Sequence, residues 1–147
     1  MANKLKIFLD ADVIFAGAAA PSEQSASHVI LRMGALTILA CVTSEQAVTE
    51  VERNLQEKLP FKLPEFRLLV SRCLRVISDP QPATLSNYEN MADASDMPLL
   101  VAAIQEGCSF LITFNIRHYH PDHEEIKALK PGDFIITLRQ LLTQMSG

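Results

Sequence analysis

Several acidic and amide side chains stand where they could meet around one cation. Asp10 follows the apolar run Ile7-Phe8-Leu9, and Asp12 stands two residues further on. A strand over residues 4 to 10 ends at Asp10, which leaves the apolar layer there. If the backbone stays extended, Asp10 and Asp12 share a face and approach the same ion. Glu50 precedes Val51 on a helix, about 100° around the axis from the apolar stripe, and so borders that stripe. Asp93 and Asp96 are three residues apart just before Pro98, on one side of the chain if the segment is already turning. Thr113 and Asn115 close a later apolar run. Clustered carboxylates, carbonyls and water suit hard cations such as Mg²⁺ or Mn²⁺, which activate water and steady charge on a phosphodiester. The acidic set therefore points to metal-assisted phosphoryl chemistry.

Each residue also has an ordinary reading. Asp10 could form a turn, Glu50 could be a solvated boundary residue, Asp96 could cap the Pro98 helix, and Thr113 and Asn115 read alone as a turn signal. His118, His120 and His123 invite zinc, but no Cys-x-x-Cys pair and no His-Glu-x-x-His spacing accompanies them. Contact with phosphate is the better reading of His118 and Arg117. No Gly-x-x-x-x-Gly-Lys loop occurs, which excludes a P-loop nucleotidase.

The elements that must position these residues alternate between strand and helix. Ser22 is the expected N-cap of a helix running toward Met33, stopped by Gly34. Leu36 to Val42 has strand length. Thr43 with Gln46 forms a capping-box pattern, and Ala47, Val51 and Leu55 make the buried stripe of the helix that carries Glu50. Pro60 and Pro64 punctuate the next connection, before a helical pattern over Phe66 to Leu74 and a brief strand over Arg75 to Ser78. A loop at residues 79 to 82 precedes a short helix over Leu85 to Met91. Pro98 fits the first turn of a helix reaching Gly107. Ser109 to Phe114 is a buried strand, residues 116 to 133 read as irregular, and Phe134 to Ile136 lead into a last helix over Leu138 to Met145. This order implies an α/β fold: a mainly parallel sheet covered by helices, with ligands collecting at the carboxyl ends of the strands.

The 147 residues suit one domain, 1–147, and 48% hydrophobic with 20% charged residues is ordinary globular usage. Lys4 and Lys6 precede apolar residues, but Asp10 and Asp12 break the stretch, so no secretory leader is expected. No membrane span is expected either. Cys41, Cys73 and Cys108 lie far apart without metal-type spacing and read as reduced thiols, which fits the cytoplasm. A net charge of −4 does not advertise nucleic-acid binding. An RNA substrate would need a local basic surface, for which Arg53, Lys58, Lys62, Arg67, Arg72 and Arg75 are candidates.

Taken in order, Ile-Phe-Leu-Asp10, Val48-Thr49-Glu50-Val51, the run from Asp93 through Asp96 to Ala103, and Leu-Ile-Thr113-Phe-Asn115-Ile-Arg-His-Tyr resemble the PIN-domain ribonucleases, VapC-like toxins among them. The resemblance covers most of the chain, and its specificity lies in order and spacing, since each motif is short. It implies a single-domain PIN-like fold, a Mg²⁺ or Mn²⁺ cofactor and endonucleolytic cleavage of RNA, often as the toxin of a toxin–antitoxin pair. A cognate antitoxin inserting into the acidic cleft and a homodimer are implied with it. The family's acidic positions fall on Asp10, Glu50 and Asp96, and the fourth falls on Asn115, whose neutral amide binds cations more weakly. Asp93 or Asp12 supplies the missing charge. Thr113 and Ser44 are expected to support the carboxylates through hydrogen bonds, and Arg117 and Arg53 to seat the RNA backbone. Two alternatives stand beside this reading. One is a degenerate PIN-like module that binds without cutting. The other is a haloacid dehalogenase-like phosphatase, to which Asp10-Ala11-Asp12 looks similar but which needs a late acidic pair after a strand that this chain lacks.

Overall fold

The structure is a computed structural model that describes residues 4–19, 25–120 and 126–146. Among the described residues five parallel strands form the sheet: β1 (Lys6–Leu9), β2 (Ala40–Ser44), β3 (Arg75–Ile77), β4 (Phe110–Ile112) and β5 (Lys127–Leu129), in the spatial order β3-β2-β1-β4-β5. The central strands are short apolar runs because helices cover both their faces. Ile7, Phe8 and Leu9 of β1 and Leu111 and Ile112 of β4 are all fully buried. The edge strands β3 and β5 hold three residues each and begin with the exposed Arg75 and Lys127.

From β1 the chain steps to β2 and then β3 on one side, and returns to lay β4 on the other side of β1. The order reverses between β1 and β4, so a crevice opens where their carboxyl ends diverge. Registers of Phe8 with Leu111 and Leu9 with Ile112 bring Asp10 and Thr113, each one residue past its strand, to that crevice.

Among the described residues seven helices connect and flank the strands: α1 (Ala11–Ala19), α2 (Ala26–Ala35), α3 (Glu45–Lys58), α4 (Leu63–Cys73), α5 (Pro82–Leu85), α6 (Met97–Gln105) and α7 (Pro131–Ser146). Single 3₁₀ turns lie at Pro60–Lys62, Ser86–Tyr88 and Ile116–His118. The stripe Ala47, Val51 and Leu55 is fully buried, as its spacing predicts. Phe134 of α7 sits edge-on to Phe110 of β4, with ring centroids 5.6 Å apart. Among the described residues no helix is long and apolar enough to cross a membrane.

Several boundaries differ from the sequence reading for identifiable reasons. The chain does not stay extended after Asp10. α1 starts at Ala11, because the Asp10 carbonyl accepts from the amides of Val13 and Ile14 and its carboxylate accepts from Ala11. Ser25, not Ser22, caps α2, its hydroxyl accepting from the His28 amide; Ser22 lies outside the described residues. β2 begins at Ala40, since Leu36 to Ile38 make the turn that closes α2, with Thr37 at φ +60° and Leu36 and Ile38 exposed. Gly34 lies within α2, where an added Cβ would come 2.5 Å from the Cys73 carbonyl oxygen; the position needs close approach, not helix termination. α5 starts at Pro82, earlier than expected, and α7 starts at Pro131, so Phe134 is helical. β5 falls in a segment expected to be irregular.

Candidate metal centre

Asp10 is the single residue between β1 and α1, 7% exposed, and each of its carboxylate oxygens is engaged. Oδ1 accepts from the Ala11 amide at 2.7 Å. Oδ2 accepts from two hydroxyls, Thr113 at 2.8 Å and Tyr119 at 2.9 Å. Its own amide donates to the Ile112 carbonyl, tying the end of β1 to β4. Thr113 is fully buried, and Tyr119 is nearly so. Burial and the Asp10 charge push the Tyr119 phenol well above its ordinary range, so its hydroxyl stays a proton donor.

Asp12, in the first turn of α1, reaches the same crevice from the helix instead of along an extended strand. Its Oδ2 accepts from the Phe114 amide at 3.0 Å and the Asn115 side-chain amide at 3.0 Å, with the Thr113 hydroxyl at 3.4 Å. Thr113 has one proton to give, and the shorter distance assigns it to Asp10; its oxygen accepts from the Asn115 amide at 3.1 Å. The Asp12 Oδ1 atom is buried and has no hydrogen-bond partner among the described residues. Burial, then the neighbouring Asp10 charge, push the Asp12 carboxyl from 3.8 up to about 6. Asn115 thus acts here as a donor to a carboxylate.

Glu50 and Asp96 complete the acidic set from α3 and the start of α6. Glu50 is on the exposed border of α3, and its carboxyl is raised by partial burial and by the charges of Asp10 and Asp96, against a lowering from Arg53. Asp96 occupies the N-cap position of α6 but makes no side-chain cap hydrogen bond, so the ordinary reading of its carboxylate as a cap does not hold. It is raised by burial and Asp10 and lowered by His118, whose Nδ1 is 3.2 Å from Asp96 Oδ2. The turn that puts Asp93 on the same side is made by the Asp96 and Met97 amides, both donating to the Asp93 carbonyl. Asp93, Asp96 and His118 offer ligand atoms within 4.8 Å of one another, and His120 Nε2 lies 3.7 Å from Asp93. His123 lies outside the described residues.

Ser44 is buried at the foot of α3, where its hydroxyl accepts from the Ala47 amide; it caps the helix that carries Glu50 and does not touch a carboxylate directly. Thr43, expected to start the capping box, instead donates to the Leu9 carbonyl at 2.9 Å and locks β2 to β1. Arg53 is exposed one turn after Glu50, and Arg117 is exposed on the 3₁₀ turn beside Asn115. Tyr119 is the site residue that the sequence reading passed over. Its signal was an aromatic ending the polar run after Asn115, and only the antiparallel bridge of Ala92 with Tyr119 folds that run back over the crevice.

These residues fit a hard divalent cation. Asp10, Asp12, Glu50 and Asp96 offer oxygen donors only; the carboxyls of Asp12, Glu50 and Asp96 are raised by burial first and by neighbouring negative charge second, and among the described residues one buried oxygen of Asp12 has no donor. Such a group is relieved by protons or by a cation.

The sequence is similar to the PIN domain, whose family model matches residues 6–117. Among solved structures, the fold is similar to VapBC2 from Rickettsia felis, crystallised with a DNA fragment from its promoter. The TM-score there is 0.63 at 14% identity, covering 84% of this chain and 98% of that one. It is also similar to PAE2754 from Pyrobaculum aerophilum, with a TM-score of 0.62 at 15% identity, covering 92% and 96%. No curated protein matches the sequence.

Proposed function

The chain belongs to the PIN-domain family, and on that basis we propose that it is a metal-dependent endoribonuclease, the toxin of a toxin–antitoxin pair. What supports this reading is the group of Asp93, Asp96 and His118, with ligand atoms within 4.8 Å of one another, beside Asp10, whose charge acts on Asp12, Glu50 and Asp96. When bound, a Mg²⁺ or Mn²⁺ ion supplies an activated water and charge neutralisation for phosphodiester hydrolysis.

The chain's own residues do the rest. Asp10, Glu50 and Asp96 would hold the ion, and Asp93 or Asp12 would supply the charge that Asn115 lacks. Thr113 and Tyr119 fix the Asp10 side chain, and Ser44 fixes the start of the Glu50 helix. His118 stands against Asp96. Arg117 and Arg53, exposed at the rim, seat the phosphate backbone. A small antitoxin covering the acidic cleft and a homodimer belong to the same proposal, as does a cytoplasmic location, which suits the free thiols of Cys41, Cys73 and Cys108.

The test is cleavage of a mixed RNA pool with added Mn²⁺ or Mg²⁺, beside a chelator control and the Asp10→Ala and Asp96→Asn variants. We expect cutting that vanishes in all three controls while the variants keep their far-ultraviolet circular dichroism. Cutting retained by folded Asp96→Asn would overturn the assignment. No cutting and no cation binding by calorimetry would favour a binding module of the same fold.

A further inference from the structure

We infer that Asp10 can ligate a cation through Oδ1 alone, and that Tyr119, with Thr113, is the positioning residue that enforces this and biases the centre toward Mg²⁺ and Mn²⁺ over Ca²⁺. The inference rests on the proposed metal centre and concerns how that centre chooses its ion.

An ionised carboxylate has about four lone-pair directions, two on each oxygen. On Asp10 Oδ2 both are taken, one by the Thr113 hydroxyl at 2.8 Å and one by the Tyr119 hydroxyl at 2.9 Å. On Oδ1 the Ala11 amide takes one at 2.7 Å and leaves one. Among the described residues, that leaves a cation approaching Asp10 a single unclaimed direction. These donors do not readily swing aside. Thr113 and Tyr119 are 0% and 5% exposed, the Ala11 amide belongs to the first turn of α1, and the Tyr119 backbone is bridged to Ala92. Losing either hydroxyl bond would bury an unpaired polar group.

One-oxygen ligation suits an ion that demands near-octahedral geometry at short distances. Ca²⁺ is larger, takes more oxygens and readily uses both oxygens of one carboxylate. Closing Oδ2 with two hydroxyls denies it that mode. Phenylalanine would fill the same space as Tyr119 without the second donor, so the discriminating part is one phenolic oxygen.

The experiment is calorimetric titration of Mg²⁺ and of Ca²⁺ into the unmodified chain, Tyr119→Phe and Thr113→Val, with thermal melts of the metal-free proteins as a folding check. Each substitution keeps the side-chain shape and frees one direction on Oδ2. In at least one variant, the ratio of Ca²⁺ to Mg²⁺ affinity should rise by about tenfold, the scale on which partners of metal ligands act. A purely structural role lowers both affinities together and leaves the ratio alone. An unchanged ratio in both folded variants overturns the inference while leaving the metal centre standing. An unmodified chain that binds neither ion overturns the metal centre and this inference together.

Discussion

Asp12 has one oxygen tied down and the other buried without a donor, and that imbalance sets how the metal-free protein responds to pH. Its carboxyl is raised from 3.8 to about 6. Between those values the folded chain binds more protons at this position than the unfolded chain. The Asp12 contribution therefore favours the fold below that window and is lost as pH rises through about 6. The raised carboxyls of Glu50 and Asp96 act in the same direction. We expect Asp12→Asn to flatten this dependence, read as the difference in urea midpoint between parent and variant at about pH 5 and about pH 7. Added Mg²⁺ should stabilise the parent more at the higher pH, since the ion displaces protons. Asn115 gives a second test. Asn115→Asp replaces the amide that donates to Asp12 with another acceptor. The metal-free protein should lose about 0.5–1.5 kcal/mol, the net worth of one hydrogen bond, while its affinity for Mg²⁺ rises. Melts with and without Mg²⁺ measure both effects, and a gain in RNA cleavage would mean that Asn115 attenuates the natural site.

At the scale of elements, α3 owes its start to Ser44, and that start aims Glu50. Ser44→Ala should cost about 1 kcal/mol through the lost cap, measured by urea denaturation. The buried stripe of α3 and the strand that stops at Asp10 were legible because each rests on a local pattern, four-residue spacing in one and an apolar run broken by a carboxylate in the other. α1 was not legible as a helix, since its start is set by Asp10 accepting from the turn that follows, a bond that spacing does not encode. β5 was hidden for a different reason. Its three residues, between Ile126 and the Lys130-Pro131 break, carry no alternation, and pairing with β4 alone makes them a strand. Tyr119 escaped because its role depends on a residue 109 positions away.

Across the whole molecule, the carboxylates gather at one end of the sheet while stability comes from the layers below them. Phe134→Ala, which empties the fully buried space against Phe110, should cost about 3–5 kcal/mol in chemical denaturation, whereas Asp96→Asn, at a half-open position, should leave the unfolding midpoint near that of the parent. An apolar groove of about 1050 Å³ lies at the other end of the sheet, lined by Leu5, Leu39, Leu138 and Leu142, far from the carboxylates. The α/β order and the parallel sheet were readable from the alternation of apolar runs and helical stripes. The reversal of strand order was not, because nothing local in Phe110–Ile112 says that this strand returns to lie beside β1. That reversal also has a consequence in time. The hydroxyls that hold Asp10 belong to residues 113 and 119, synthesised more than a hundred positions after the carboxylate they grip. A ribosome delivers the first half of the centre long before the second, and contacts of such sequence separation form slowly. While it is being made, the growing polypeptide carries its acids without their clasp, so the cell meets an assembled centre only after synthesis has passed β4 and the turn beyond it.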